Sequence, residues 1–135
     1  MKKLLMMAAA LLAFATPARA DQLPAIYLGQ WCASGDEPDS AYFAVTPENK
    51  CGETHLLTIK QDRLIEGVET ECRFRSIKKT NDLRPNHTKP TKADWTPVME
   101  ILAYCEEIAS HVKLRLIYQK GALSIESKTL RGKDK

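Results

Sequence analysis

Glu106, Glu107 and His111 lie within six residues of one another. Two carboxylates beside an imidazole can share a proton as general acid and base, or hold a hard or borderline metal ion. On a helix over 106–111, Glu107 and His111 would be i, i+4 neighbours on one face. This group is the candidate site for a small hydrolase or a metal-dependent enzyme. The competing reading is a solvated turn between two strands. Asp36, Glu37 and Asp39 form a second acidic group around Pro38, but the series is too short for a calcium loop. No Gly-x-Ser-x-Gly occurs, so a nucleophile elbow is absent. The sequence assigns no catalytic residue, no metal and no cofactor.

The cysteines carry more. Cys32, Cys51, Cys72 and Cys105 contain no C-x-x-C, and His55, His87 and His111 are scattered, which argues against a zinc site or a thioredoxin-like redox pair. An even cysteine count in an exported chain reads as disulfides, here with three possible connectivities. Strand periodicity separates them. From Trp95 to Cys105 the odd positions read Trp, Pro, Met, Ile, Ala, Cys, which predicts a strand with its odd face inward. Cys72 and Phe74 share one face of the preceding strand, and Arg73 and Arg75 the other. Cys72 and Cys105 then both point inward. If Trp31 points into the core, Cys32 points out, towards Cys51 in its Pro-, Glu- and Asn-rich segment. The expected bridges are Cys32–Cys51 as an outer clip and Cys72–Cys105 as a core bridge.

One polar segment stands apart. Lys78 to Asp94 holds Lys79, Arg84, Lys89, Lys92 and His87, punctuated by Pro85 and Pro90. A connection of that length between two long strands is unusual for a hairpin. It is expected as a loop at an open rim of the fold. It is either a binding loop for an acidic envelope partner or a mobile tether.

The N-terminus reads as an address. Met1-Lys2-Lys3 is a positive start, Leu4 to Ala15 is an apolar run, and Ala18-Arg19-Ala20 is a small-x-small cleavage site. Twelve helical residues rise about 18 Å, short of the roughly 30 Å of a membrane's hydrocarbon core. Residues 1–20 are therefore expected to be a cleaved secretory signal, and 21–135 a single disulfide-braced β domain. The mature chain would have no membrane span and would be periplasmic or secreted. Removing Lys2, Lys3 and Arg19 from the 20 basic residues leaves 17, equal to the 17 acidic ones. A nucleic-acid binder usually needs a net basic face, so no nucleic-acid partner is expected.

These residues are positioned by a chain that reads almost wholly as strands. Ile26–Cys32, Ala41–Val45, His55–Lys60 with Arg63–Glu66 as its continuation, Glu71–Lys78, Thr96–Cys105, Val112–Gln119 and Ala122–Ser127 are the predicted strands; in Val112–Gln119, Val112, Leu114, Leu116 and Tyr118 fall on one face and Lys113 and Arg115 on the other. Lys120-Gly121 predicts a tight hairpin turn. Such strands in sequence order predict an all-β fold, a small antiparallel meander barrel, with a β-sandwich as the alternative. The expected core is Trp31, Phe74, Met99, Ile101, Leu114, Leu116, Leu123 and Ile125.

Gly29-Gln30-Trp31 resembles the Gly-x-Trp signature of lipocalin-like barrels. The resemblance implies that Trp31 packs near a closed barrel end, with Arg115 or Arg131 from a late strand against it. The wider pattern of Trp31-Cys32, Cys51, Glu71-Cys72-Arg73-Phe74, Trp95 and Cys105 is similar to small exported bacterial four-cysteine proteins of uncharacterised function. That resemblance implies a location and a shape, and no activity. The functional expectation is an exported, soluble, non-catalytic binding module for an unknown small ligand or envelope protein. The enzyme built on Glu106, Glu107 and His111 is the alternative.

Overall fold

A computed structural model describes residues 21–35, 41–48, 50–52, 55–67 and 70–130. The signal-like segment, the Asp36/Glu37/Asp39 group and Arg131 lie outside the described residues. Eight strands follow in order: β1 (Gly29–Ala33), β2 (Tyr42–Ala44), β3 (Leu56–Ile59), β4 (Arg63–Glu66), β5 (Thr70–Pro85), β6 (Trp95–Cys105), β7 (Ser110–Gln119) and β8 (Ala122–Thr129). All pairings are antiparallel, and they close into a barrel. Closure removes the free sheet edges that a sandwich would leave.

From β3 to β8 each strand pairs with the next, as a meander does. The first hairpin closes the ring differently. It is β1 that lies beside β3, while β2 pairs with β8 through Tyr42 and Leu123. Alternation drives the whole arrangement. Leu57 and Ile59, Leu64, Cys72, Met99 through Cys105 at odd positions, Val112 through Leu116 at even positions, and Leu123 all turn inward and are buried. Lys120 and Gly121 both take positive φ, 50° and 84°, as a two-residue I′ turn between right-twisted strands requires. Gly29, with φ of 120°, turns the chain into β1 in a conformation that L side chains rarely adopt.

The two bridges form as Cys32–Cys51 and Cys72–Cys105. Cys72 and Cys105 face each other directly in the β5–β6 register. Cys32 does leave the Trp31 face, yet only 3% of it is exposed. Of the expected core, Trp31, Met99, Ile101, Leu114, Leu116 and Leu123 are buried, while Phe74 and Ile125 are partly buried against it.

Several sequence expectations change. Ile26 and Tyr27 belong to a 3-10 turn, Ala25–Tyr27, and the first strand begins at Gly29. Arg63–Glu66 is a strand of its own. The helix considered over 106–111 is only the three-residue 3-10 turn Glu106–Ile108, with His111 already on β7. β5 runs to Pro85, so the first part of the expected Lys79–Asp94 loop, residues 79–85, is strand. Trp95 is 44% exposed although its parity predicts burial. The cause is the register irregularity between Lys79 and Leu83, where three residues of β5 face one of β6. Such an irregularity breaks the alternation: Val98 and Met99 are both buried, and Thr96 rather than Trp95 turns inside.

Candidate functional site

The residues just before β1 lie across one end of the barrel and seal it. Leu23 and Gln61 exchange two hydrogen bonds, the Leu23 amide donating to Oε1 at 2.9 Å and Nε2 donating to the Leu23 carbonyl at 2.8 Å. The Lys79 amide donates to Asp21 Oδ2 at 2.7 Å. Tyr27 has no exposed surface. Its hydroxyl proton lies between the carbonyl oxygens of Pro97, at 2.8 Å, and Leu116, at 3.1 Å, and its oxygen accepts from the Tyr118 amide at 3.3 Å. Burial pushes this phenol up to about 12, against a smaller lowering by the Tyr118 amide. Trp31 donates its indole N–H to the Tyr27 carbonyl at 3.1 Å and meets the Tyr118 ring edge-on at 6.0 Å.

The opposite end is open. A cavity of about 330 Å3 enters the barrel there. Leu57, Leu64, Val112, Leu114, Ile125 and the Cys72–Cys105 bridge form its wall, and Tyr42, Glu66, Thr70, Glu107, Ile108, Ser127 and Thr129 complete its lining. β4 and β5 explain the rim. Glu66 is two residues after inward Leu64, and Thr70 two before inward Cys72, so each is in phase with the core face at the end of its strand. The Thr70 hydroxyl hydrogen-bonds Glu107 Oε2. Burial raises the Tyr42 hydroxyl above the ordinary phenol value, and the negative charge of Glu66 raises it further. Among the described residues no cation forms an ion pair with Glu66 or Glu107.

The sequence candidates fall in different places. Glu107 reaches the mouth, and the exposed Glu106 is not part of its lining. His111 packs against the Tyr104 ring at 5.0 Å and lies outside the cavity lining. The group does not converge, and among the described residues no three acidic, histidine or cysteine side chains are placed to hold a metal.

The four basic residues separate as well. β5 starts at the mouth and runs towards the sealed end, so Lys79, Arg84, Lys89 and Lys92 are away from the open rim. Lys79 and Arg84 are strand residues. The Arg84 guanidinium grips Asp82 through two hydrogen bonds, at 2.8 and 2.9 Å, and donates to Gln119 Oε1 at 3.0 Å. That is a latch, and it holds the Asp82 carboxyl below the usual carboxylate range. Lys89 and Lys92 are exposed on the turn 86–94, which Asp94 orders by accepting from the Thr91 amide and hydroxyl at 2.9 and 2.8 Å. Arg115 lies on the outer side of β7, paired with Asp82 at 3.0 Å and Glu126 at 3.4 Å rather than with Trp31.

A second, shallower groove crosses the outer sheet face, with Lys78, Lys113 and Lys128 around Glu100, Leu102 and Leu130. No family model matches the chain, and neither a curated protein nor a solved structure matches it. Sequence reasoning missed Tyr42, Glu66 and Thr70. The available signal was a polar residue in phase with the core face at a strand end, where a fully packed barrel would carry an apolar one.

Proposed function

We propose that the protein is an exported, soluble, non-catalytic binding module that takes a small ligand through the open end of its barrel. The single observation behind this reading is the 330 Å3 apolar-walled cavity opposite a sealed end. Pockets for small molecules are concave and mostly apolar, with a few polar groups at fixed positions, and start near this volume. An eight-stranded barrel is wide enough to hold one such guest. The signal pattern of residues 1–20 and the two disulfides support a cleaved leader and an oxidising compartment, with the periplasm or envelope as the first choice. The enzymatic alternative has less support, because only Glu107 of its three residues reaches the cavity.

Titration with a neutral, environment-sensitive apolar fluorophore tests the reading. Saturable one-to-one binding is expected. Ser127→Trp, at an exposed lining position, should weaken it by blocking the entrance without loss of melting temperature. Leu102→Ala, in the outer groove, should leave it unchanged. If Leu102→Ala abolishes binding and Ser127→Trp does not, the ligand face is the outer sheet and the proposal fails.

A further inference from the structure

We infer that the mouth is selective for a small apolar cation, an alkylamine or alkylammonium whose chain lies against the aliphatic wall and whose charged head meets Glu66 and Glu107. This rests on the reading of the mouth as the ligand site and adds the chemical class of the ligand.

The first ground is the sign of the charge. Among the described residues, only Glu66 and Glu107 line the cavity with a formal charge. Both are acceptor-only groups when ionised, so they offer a headgroup hydrogen-bond acceptors and negative charge. None of the described lysines lines it: Lys78, Lys113 and Lys128 border the outer groove, and Lys89 and Lys92 are on the turn 86–94. An anionic guest in the mouth would face two like charges with no compensating cation among the described residues, which is costly.

Spare capacity is the second ground. Thr70 engages one oxygen of Glu107, Oε2, and fixes the carboxylate at the rim. Its second oxygen, and both oxygens of Glu66, are not used by any described cation. Tyr42 lines the same opening and contributes a ring, a surface that attracts cations at its face. The raised hydroxyl keeps that residue neutral at physiological pH, so it adds no third negative charge.

The third ground is the wall, which favours a cation with a hydrocarbon tail over a bare metal ion. Two carboxylates and the hydroxyls of Tyr42, Thr70, Ser127 and Thr129 lie over leucine, isoleucine, valine and a disulfide. A hard cation gains nothing from that apolar floor, and among the described residues no three acidic, histidine or cysteine side chains are placed to hold one. An organic cation with a hydrocarbon tail uses both parts. At roughly 30 Å3 for each water-sized group, the 330 Å3 cavity suits a guest of roughly ten heavy atoms.

The test compares three guests with the same chain, octyltrimethylammonium, octanol and octanoate, each below its micelle concentration. Each is titrated against the oxidised mature protein at pH 7, with displacement of the neutral fluorophore as the readout. The ammonium should bind about tenfold more tightly than octanol, and octanoate more weakly than octanol. Glu66→Gln together with Glu107→Gln keeps the shape and removes the charge. It should bring the ammonium to within about twofold of octanol. If octanol or octanoate matches the ammonium in the native protein, the charge selectivity is overturned while the cavity reading stands. If the double variant retains the full preference, the carboxylates are not its source and the inference is overturned. If no guest displaces the fluorophore, both the cavity reading and the inference fall.

Discussion

The two ends of this barrel are made of the same strands and differ in what fills them. At the sealed end, Tyr27 and Trp31 bring two large rings inside, and every hydrogen-bonding atom of those rings has a partner. At the mouth, the inward positions hold mainly aliphatic side chains, Leu57, Leu64, Val112, Leu114 and Ile125, with a disulfide and, at the rim, the half-buried ring of Tyr42. The interior of an eight-stranded ring can be filled by side chains or hold one small ligand, and here a cavity of about 330 Å3 remains. The volume of the inward residues thus decides which end is structure and which end is available for a ligand. Polar groups follow the same division. At the sealed end Tyr27 and Trp31 are satisfied by backbone and buried Thr96 by the Asn86 side chain, while the carboxylates at the mouth face solvent and have no partner cation among the described residues.

If this division is right, the sealed end should dominate stability. Tyr27→Ala removes a fully buried ring and leaves the Tyr118 amide without its acceptor. It should cost about 3–5 kcal/mol in urea unfolding. Leu114→Ala, beside an existing cavity, should cost about 2 kcal/mol, the low end of its class. Equal losses at the two sites would erase the contrast. The Cys72–Cys105 bridge is the mouth's main brace. Replacing both cysteines with alanine should cost about 3–4 kcal/mol by loop-closure entropy, more than the Cys32–Cys51 pair, whose separation is 19 residues against 33.

A smaller effect sharpens the sealed end further. The Tyr27 phenol, pushed up to about 12 by burial, ionises at about 10 in the unfolded chain. Below pH 10 both states hold the proton and the stability contribution is complete. From pH 10 to 12 the unfolded chain releases it first, so stability falls as pH rises, by on the order of 2–3 kcal/mol. Tyr27→Phe should begin less stable and lack this part of the alkaline slope. An unchanged slope would mean that Tyr27 is not the responsible group. The smallest expected effect is on the basic turn and its neighbour. Lys79→Ser, Lys89→Ser and Lys92→Ser together should change stability by no more than about 0.5 kcal/mol. Adding Arg84→Ser should lower the melting temperature measurably, because it opens the Asp82–Gln119 latch.

Legibility in the sequence followed the strength of alternation. β7 from Val112 to Leu116 alternates without interruption, and in β6 the odd positions from Met99 to Cys105 are apolar throughout, so their inward faces and the Cys72–Cys105 bridge could be read directly. Trp95 was misread because the register shift at residues 80–82 is a property of two strands together and leaves no mark in β6 alone. The length of β5 was hidden by Lys79, Asn81, Asp82 and Arg84, polar residues that resemble a loop. Two of them are held in place by charge: Asp82 pairs with Arg84 within β5 and with Arg115 of β7 across the sheet. Glu107 was noticed for proximity to His111, although its structural neighbour is Thr70, 37 positions away. Short sequence distance proved a poor guide to the site, whereas strand phase would have found Glu66 and Thr70.

The division into a sealed end and a receiving mouth meets its most direct test in intermolecular NOEs from a bound octyl chain to assigned methyl groups. The account predicts contacts from the chain to Leu64, Val112, Leu114 and Ile125, with none to Leu23 or Leu116 at the sealed end. Contacts confined to Leu102 and Leu130 on the outer face, with the mouth methyls silent, would contradict it.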